Sequence, residues 1–395
     1  MLGLRDLVFL KDVLVLSVTA IGGPHSHIPM FIKRMVNYRR YLTEAEFVEL
    51  NALCQILPGP TSTQTITALG YKMGGANLAY LTLLIWVLPS MIIMTAAGIM
   101  MTYWAEKNME MPFLAILEPM AVGFVAYSTW VIGSKVITTK TATIVMIISA
   151  VIGYFLRFPW VAPILLVIGG LSTTFKFKRL PKEEVEPKIN VKWANFIVFI
   201  AVFLVTFILG LIIVQPDISK GVQLFETFYR NGSLVFGGGQ VLVSLLHTEY
   251  VDVKHYLTSQ EFLTGYALVQ AIPGPIFAFS SYIGAMSMKE FGISGQILGS
   301  ILSTAGIFLP GTFLIFFIYR LWDELKKYRA IKASLEGINS VSAGLVLAVA
   351  FFLFDTISLN YLNGFVMLGT FIALMSEKIS PTIIIIIGLS LGYFI

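Results

Sequence analysis

The sequence predicts an all-α polytopic membrane protein built from two inverted-topology repeats, and three observations carry this prediction. The chain is strongly apolar, it contains long stretches without charge, and its two halves share an internal repeat. Of its 395 residues, 57% are hydrophobic and only 12% are charged. Soluble globular domains have about 45–50% apolar and about 25% charged residues. A soluble enzyme is therefore not expected.

The uncharged stretches place the chain in a lipid bilayer, which about 20 consecutive apolar residues can span. Five stretches contain no Asp, Glu, Lys or Arg: 73–105, 193–216, 262–288, 291–319 and 356–376. The net charge of +5 lies in the loops, so it records membrane topology and does not indicate a nucleic-acid partner. No small-residue cleavage site follows the first apolar stretch, so we expect that stretch to stay in the membrane.

The internal repeat is visible without gaps at a constant offset of 215 residues. Residues 22–60 and 237–275 are identical at 14 of 39 positions, where random pairing gives about two or three. The repeat divides the chain into a first transmembrane repeat (1–174), a polar linker (175–192) that we expect in the cytoplasm, and a second transmembrane repeat (193–395) that begins with a connecting span (193–216).

Loop charges indicate that the halves have opposite orientations. The loop at 31–42 carries a net charge of +4, and its equivalent at 246–257 carries −1. Further along, the sign reverses: residues 104–112 carry −1 and residues 320–332 carry +3. Because Lys and Arg accumulate on the cytoplasmic side, equivalent loops are predicted on opposite faces. Inverted repeats are the architecture of many secondary transporters.

Each half contains two apolar segments interrupted by Gly and Pro, which cannot continue a straight helix. The breaks are Gly22-Gly23-Pro24 and Pro58-Gly59-Pro60, then Gly237-Gly238-Gly239 and Pro273-Gly274-Pro275. Unwound backbone at membrane depth needs protein or a water-filled cavity around it. We predict that the four breaks converge near the midplane, either in re-entrant hairpins or in kinked full crossings. The re-entrant alternative gives hairpins at 4–33 and 43–75, followed by spans at 77–104, 112–133, 142–156, 160–174 and 194–215.

The first Pro-Gly-Pro break predicts an anion site. A half-helix beginning there directs its free amides and the positive end of its dipole into the break. Its first residues, Thr61 to Gln64, add hydroxyl and amide donors, whereas Ile276 to Phe279 in the second half are apolar or aromatic and Ser280 and Ser281 follow. The alternative is that Thr61, Ser62 and Thr63 only cap a helix.

These motifs resemble the chromate ion transporter (CHR) family, specifically its long-chain members with two homologous domains. The resemblance rests on Gly-Gly-Pro-His-Ser-His from Gly22, on the run at 53–64, on residues 236–240, on Gln270 and on Pro273-Gly274-Pro275. Ile21 departs from the family's usual aromatic residue. The resemblance implies export of chromate from the cytoplasm across the inner membrane, with sulfate as a similar oxyanion.

The expected substrate-binding residues lie at the four breaks and in the helices that follow or precede them. In the first half they are Gly22, Gly23, Pro24, His25, Gln55, Pro58, Gly59, Pro60, Thr61, Ser62, Thr63 and Gln64. In the second half they are Gly237, Gly238, Gly239, Gln240, Gln270, Pro273, Gly274 and Pro275.

Ionisable residues near the breaks admit coupling or structural roles. His27 could couple anion movement to a proton or bind freed backbone, and Glu118 could act in a proton relay. Glu46 and Glu261 stand at capping-box spacing after Thr43 and Thr258. Lys72 and Lys289, at the ends of the half-helices, are expected at the interface. No arginine is predicted in the central apolar core.

The sequence argues against an enzyme, because it lacks a zinc-protease His-Glu-x-x-His motif and a Gly-x-Ser-x-Gly elbow. The single cysteine, Cys54, excludes an internal disulfide and a cysteine-built metal site. No cofactor or metal is expected. We predict an alternating-access transporter, with a second copy of the chain as a candidate partner in a homodimer; a channel-like uniporter for sulfate or another anion is the alternative.

Overall fold

The computed structural model describes residues 3–21, 23–107, 115–156, 160–175, 193–213, 215–235, 239–319, 321–322, 329–357, 360–376 and 378–393. All regular elements in these ranges are helices. The first half contains α1 (Leu4–Thr19), α2 (Gly23–Phe31, continued by a π-helix at Ile32–Tyr38), α3 (Glu44–Ile56), α4 (Thr61–Glu106), α5 (Leu117–Val136), α6 (Lys140–Phe155) and α7 (Val161–Thr174). The predicted linker lies outside the described residues from 176 to 192.

The second half begins after a connecting helix, α8 (Ala194–Ile212). It contains α9 (Pro216–Leu234), α10 (Gly239–His247, continued by a π-helix at Thr248–Val253), α11 (Ser259–Ala271), α12 (Phe279–Ser287, preceded by a 3-10 turn at Ile276–Ala278), α13 (Gly292–Ile318), α14 (Arg329–Thr356), α15 (Tyr361–Met375) and α16 (Pro381–Tyr393). The order of elements follows that of the first half. In both halves a π-helical turn stands between the second and third helices of the repeat.

The two capping boxes form as the sequence predicts. In α3, the Thr43 side chain accepts from the Glu46 amide, and the Glu46 carboxylate accepts from the Thr43 amide at 2.7 Å. In α11, Thr258 and Glu261 make the same two bonds. Each box satisfies amides that the first helical turn leaves without partners. Both helices therefore begin where the repeat predicts.

Glycines with positive φ repeat the same backbone turns in both halves. Gly59 and Gly274, at the centres of the Pro-Gly-Pro breaks, have φ of 116° and 108°. Gly75, where α4 is interrupted, and Gly292, where α13 begins, have φ of 73° and 67°. These conformations strongly favour glycine. The predicted hairpin boundary near residue 75 thus coincides with a real interruption in α4.

Four described helices are long and apolar enough to cross a membrane: Thr61–Glu106, Ala194–Ile212, Lys289–Ile318 and Ala333–Asp355. Five shorter apolar helices accompany them. Helix α8 has no buried residue and exposes large apolar side chains such as Ile197 and Leu211. An all-apolar exposed helix requires lipid around it. The chain is a multi-pass membrane protein.

Helix α4 lies among helices of both halves. Helix α4 packs against α1, α12 and α13, and α13 packs against α9. Small residues allow the close approach: a Cβ on Gly98 of α4 would lie 2.9 Å from Ala285 of α12, and a Cβ on Gly306 of α13 would lie 2.8 Å from the Phe225 carbonyl of α9. The start of the first half-helix is consequently enclosed by both halves.

Helix α5, which begins at Leu117, covers most of the predicted span at 112–133, and residues 108–114 lie outside the described ranges.

Candidate anion site at the helix breaks

The half-helix after the first Pro-Gly-Pro break begins at Thr61, as predicted, with Pro60 at its N-cap. The first bond of its ladder joins the Gln64 amide to the Pro60 carbonyl at 2.8 Å. The amides of the three preceding residues therefore lie before the ladder, where they are available to other acceptors. Ser62 and Thr63 are each only 2% exposed, so this helix terminus is buried in the protein.

The hydroxyls of Ser62 and Thr63 bond side chains outside the first turn, Ser62 on α2 and Thr63 further along α4 beyond its interruption. Ser62 Oγ lies 3.1 Å from His27 Nδ1 of α2. Thr63 Oγ1 accepts from Trp86 Nε1 at 3.0 Å, and the His27 ring stands edge-on to the Trp86 ring at 5.3 Å. No side chain caps the helix at Pro60. The hydroxyls of Ser62 and Thr63 thus have bonds other than a cap of the α4 terminus.

Gln64 contributes an unpaired acceptor to the same place. Its Nε2 donates to the Pro58 carbonyl at 2.5 Å, which turns the amide back over the break. Gln64 Oε1 is buried and has no hydrogen-bond partner within the described part of the chain. Buried polar atoms are almost always paired, so this acceptor is available to a donor of a bound ligand.

The two halves pair their breaks reciprocally. The Gly59 amide donates to the Val235 carbonyl at the end of α9 (2.6 Å), and the Gly274 amide donates to the Ala20 carbonyl at the end of α1 (2.8 Å). Both donors and both acceptors are separated by 215 residues, the offset of the sequence repeat. Such reciprocal pairing is typical of an interface between two copies related by a two-fold axis. Each Pro-Gly-Pro break thus bonds the end of a helix in the other half.

The second-half equivalent of the site is apolar. Phe277 and Phe279 are buried, and Phe279 packs against Phe262 with ring centroids 4.9 Å apart. Ser281 Oγ bonds Thr304 Oγ1 at 2.8 Å, whereas the buried Ser280 Oγ has no partner among the described residues. Donors therefore cluster in the first half, and aromatic rings occupy the corresponding place in the second.

The structure brings only some of the predicted site residues into this cluster. Gln55 is exposed on α3, so its predicted place in the site is not supported. Gln270 is 8% exposed on α11. Glu118 is half-buried in the first turn of α5. Gly22, Gly237 and Gly238 lie outside the described residues, as do the side chains of Pro24, His25 and Gln240; the backbones of α2 and α10 begin at Gly23 and Gly239.

A sequence model described as "Chromate transporter" matches residues 7–174 and 222–393. The chain belongs to the chromate transporter family. The two matched segments correspond to the two repeats and omit the predicted linker. This family is a transporter family and not a class of enzymes.

Curated relatives cover most of the chain. An uncharacterized transporter of Methanocaldococcus jannaschii is 26% identical over 97% of this chain and 92% of its own. Chromate transport proteins of Pseudomonas aeruginosa and Cupriavidus metallidurans are 23% and 24% identical, over 83% and 87% of this chain and 76% and 80% of theirs. No solved structure matches. The predicted resemblance to the chromate transporter family is confirmed.

The structure of this family member also contains a charge cluster that sequence reasoning missed, around the fully buried Asp12 of α1. Its carboxylate accepts from Arg34 and Arg39, each as close as 2.7 Å, and from Tyr41 OH at 2.8 Å. Burial and the bond to Asp12 raise the pKa of Tyr41, in the connection after the π-helix, to about 12. Tyr41 therefore remains a hydrogen-bond donor throughout the physiological pH range. The cluster ties α1 to the end of the α2 segment.

A second cluster surrounds a buried arginine that the sequence did not single out. Arg230 of α9 is 7% exposed and pairs with Glu249 at 3.0 Å and Glu226 at 3.3 Å; Lys254 pairs with Glu249 at 3.2 Å. Arg230 is buried because carboxylates from two elements and the ring of Trp160 surround it. Glu249 and Lys254 stand 215 residues after Arg34 and Arg39. A comparison of the charged residues that stand 215 positions apart in the two halves could have revealed both clusters.

Proposed function

We propose that this protein carries chromate out of the cytoplasm as a secondary transporter that works by alternating access in the cell inner membrane. Family membership and the names of the curated relatives support chromate as the substrate. The observation that carries the mechanism is the reciprocal pairing of the breaks, with Gly59 bonded to Val235 and Gly274 bonded to Ala20. Two halves that meet through equivalent contacts can rock about the site between them.

The anion would bind at the start of the half-helix at Thr61. Free amides at a helix N-terminus and its positive dipole favour an anion. Ser62, Thr63 and Gln64 lie around this terminus and have further polar atoms there. Such a site holds an oxyanion by hydrogen bonds without a permanent cation, so it can release the oxyanion again. His27, in contact with Ser62, and Glu118 are the groups we propose for coupling transport to protons.

We further propose that the repeats are inverted and that the broken segments are re-entrant. Helix α3 and the half-helix 61–73 have 13 residues each, or about 20 Å of helix, whereas the hydrocarbon core is about 30 Å thick. Lys72 at the end of this pair bonds Glu46 at its beginning, at 2.5 Å, and Lys289 bonds Glu261 in the same way at 3.1 Å. These pairs favour segments that return to the face they entered.

Cysteine labelling tests this topology, because Cys54 is buried and can be replaced by Ala in the background. Tyr38 and Val253 are exposed equivalents at the repeat offset. Tyr38→Cys is expected to react with a membrane-impermeant maleimide only from the cytoplasmic side and Val253→Cys only from the opposite side. Labelling of both from one side would contradict the inverted arrangement.

Flux measurements test the function directly. Inverted membrane vesicles are expected to take up chromate in a manner that depends on the proton gradient. Thr63→Ala and Gln64→Ala are expected to abolish uptake while leaving folded protein, since each removes a polar group from the buried helix terminus. Normal uptake by both variants would eliminate the proposed site. Uptake that does not saturate with chromate and ignores the gradient would instead favour the channel-like alternative, and preference for sulfate would correct the substrate.

A further inference from the structure

We propose that the site at Thr61 selects the protonated monoanion, hydrogen chromate, over dianions such as sulfate, and that the side-chain carbonyl of Gln64 recognises the proton. This inference rests on the proposed function, since it assigns specificity to the same site. Its starting observation is Gln64 Oε1, a buried hydrogen-bond acceptor without a partner among the described residues. The start of the half-helix otherwise offers hydrogen-bond donors.

The orientation of the Gln64 amide follows from its surroundings. The atom 2.5 Å from the Pro58 carbonyl must be the NH2 group, because two carbonyl oxygens cannot bond each other. Glycines on both sides restrict the amide: an added Cβ would lie 2.8 Å from Nε2 at Gly59 and 2.6 Å from it at Gly311. With the donor group held in this way, Oε1 remains an acceptor that the described residues leave unpaired.

An unpaired acceptor beside a set of donors discriminates between protonation states. A fully ionised tetrahedral oxyanion has only acceptor oxygens, so Gln64 Oε1 would face another oxygen and stay unsatisfied, which costs about 1–3 kcal/mol. A protonated oxyanion has one O–H, and this group can donate to Oε1 while the remaining oxygens accept from the helix amides. The site therefore fits a ligand with one donor and several acceptors.

The charge of the site favours the same ligand. Within the described part of the chain, no lysine or arginine hydrogen-bonds to Ser62, Thr63 or Gln64. The buried Arg230 is already paired with carboxylates. A helix N-terminus supplies only about half a positive charge. Because desolvation cost rises with the square of the charge, a dianion costs about four times as much to bury as a monoanion.

Chromate and sulfate differ in how readily they are protonated, and this is the property that the proposed site distinguishes. Hydrogen chromate loses its proton near neutral pH, so a substantial fraction of chromate is protonated in a neutral solution. Hydrogen sulfate and hydrogen selenate are far stronger acids and are fully ionised there. Selenate has nearly the size of chromate, which makes it the control that separates protonation from size.

The test is the initial rate of chromate, selenate and sulfate flux into proteoliposomes containing the full chain, measured from slightly acidic to alkaline pH with equal pH on both sides. The chromate rate is expected to follow the hydrogen chromate fraction and to fall roughly tenfold per pH unit above its pKa. Selenate and sulfate are expected to move at less than about a tenth of the chromate rate. His27 contacts Ser62 at the start of the half-helix, and its protonation would favour a dianion at least as much as a monoanion. A chromate-to-selenate ratio that rises as the pH falls therefore reports the proton on the substrate.

A matched pair of variants assigns the effect to Gln64. Gln64→Met removes the acceptor together with the Nε2 donor to Pro58 but keeps the side-chain volume that Gln64→Ala loses, so flux is expected to remain measurable. It is expected to lower the chromate-to-selenate ratio about tenfold. Gln223→Met, at an exposed glutamine that bonds Ser219, is expected to leave the ratio unchanged.

Chromate flux that is independent of pH, or selenate flux equal to chromate flux, would overturn this inference and leave the proposed function intact. An unchanged ratio in folded Gln64→Met would likewise overturn the role of Gln64. A folded wild-type protein that moves no chromate at any pH would overturn the proposed function and the inference with it.

Discussion

Arg230→Met is expected to lower the free energy of unfolding by up to about 3–5 kcal/mol, the cost of breaking a buried ion pair, with Lys254 left as the one cation bonded to Glu249 in the described cluster. Glu249 is only 4% exposed, and the change removes the guanidinium that lies 3.0 Å from its carboxylate. Methionine fills much of the same volume, so the effect comes mainly from charge. Thermal unfolding in detergent measures it, with the Arg230→Met, Glu249→Gln double variant expected to recover part of the loss.

The matched control for this prediction is Lys220→Met in the same helix. Lys220 bonds Glu290 at 2.7 Å, but the carboxylate side of that pair is 58% exposed. Exposed pairs contribute about 0–1 kcal/mol, so this control should unfold close to the wild-type temperature. Equal unfolding temperatures for Lys220→Met and Arg230→Met would contradict a structural role for the buried cluster.

Gly59→Ala and Gly274→Ala are expected to abolish chromate transport, because both residues hold the contact between the halves. A side chain at these positive φ values costs about 1–3 kcal/mol. The added methyl would also lie 2.8 Å from Gln64 Nε2 in one case and 2.9 Å from Ser90 in the other. Displacing either loop would lengthen the bond to Val235 or Ala20. Chromate flux with the amount of folded protein measured in parallel checks the result.

Gly75→Ala and Gly292→Ala provide the control for strain alone. Both glycines have positive φ, but a Cβ at either would meet no atom within 4 Å. These variants should therefore lose stability without losing transport per folded molecule. If Gly59→Ala and Gly75→Ala transport chromate equally well, the Pro-Gly-Pro contact is not needed for transport.

The sequence alone predicted the membrane class, the duplication and the positions of the main helix breaks. These features depend on local chemistry: uncharged runs, glycine and proline, and the Thr43-x-x-Glu46 spacing that forms a cap. The equivalent features of the second half follow from the 215-residue offset. The family could also be recognised at this level, because its motifs coincide with the breaks, which are the least replaceable parts of the backbone.

Only the tertiary structure decided which groups meet. Gln55 and Gln64 both lie near the same break in sequence, yet Gln55 faces outward and Gln64 is buried against Gly311 of the other half. Arg230 is buried because Glu249, 19 residues further along the chain and on a different helix, pairs with it. Hydrophobic periodicity does not encode this pairing. Local sequence determines where a helix starts, breaks and ends. The pairing of side chains across helices depends on packing between segments distant in the chain, and that packing is what leaves one carbonyl of Gln64 unpaired in the proposed anion site.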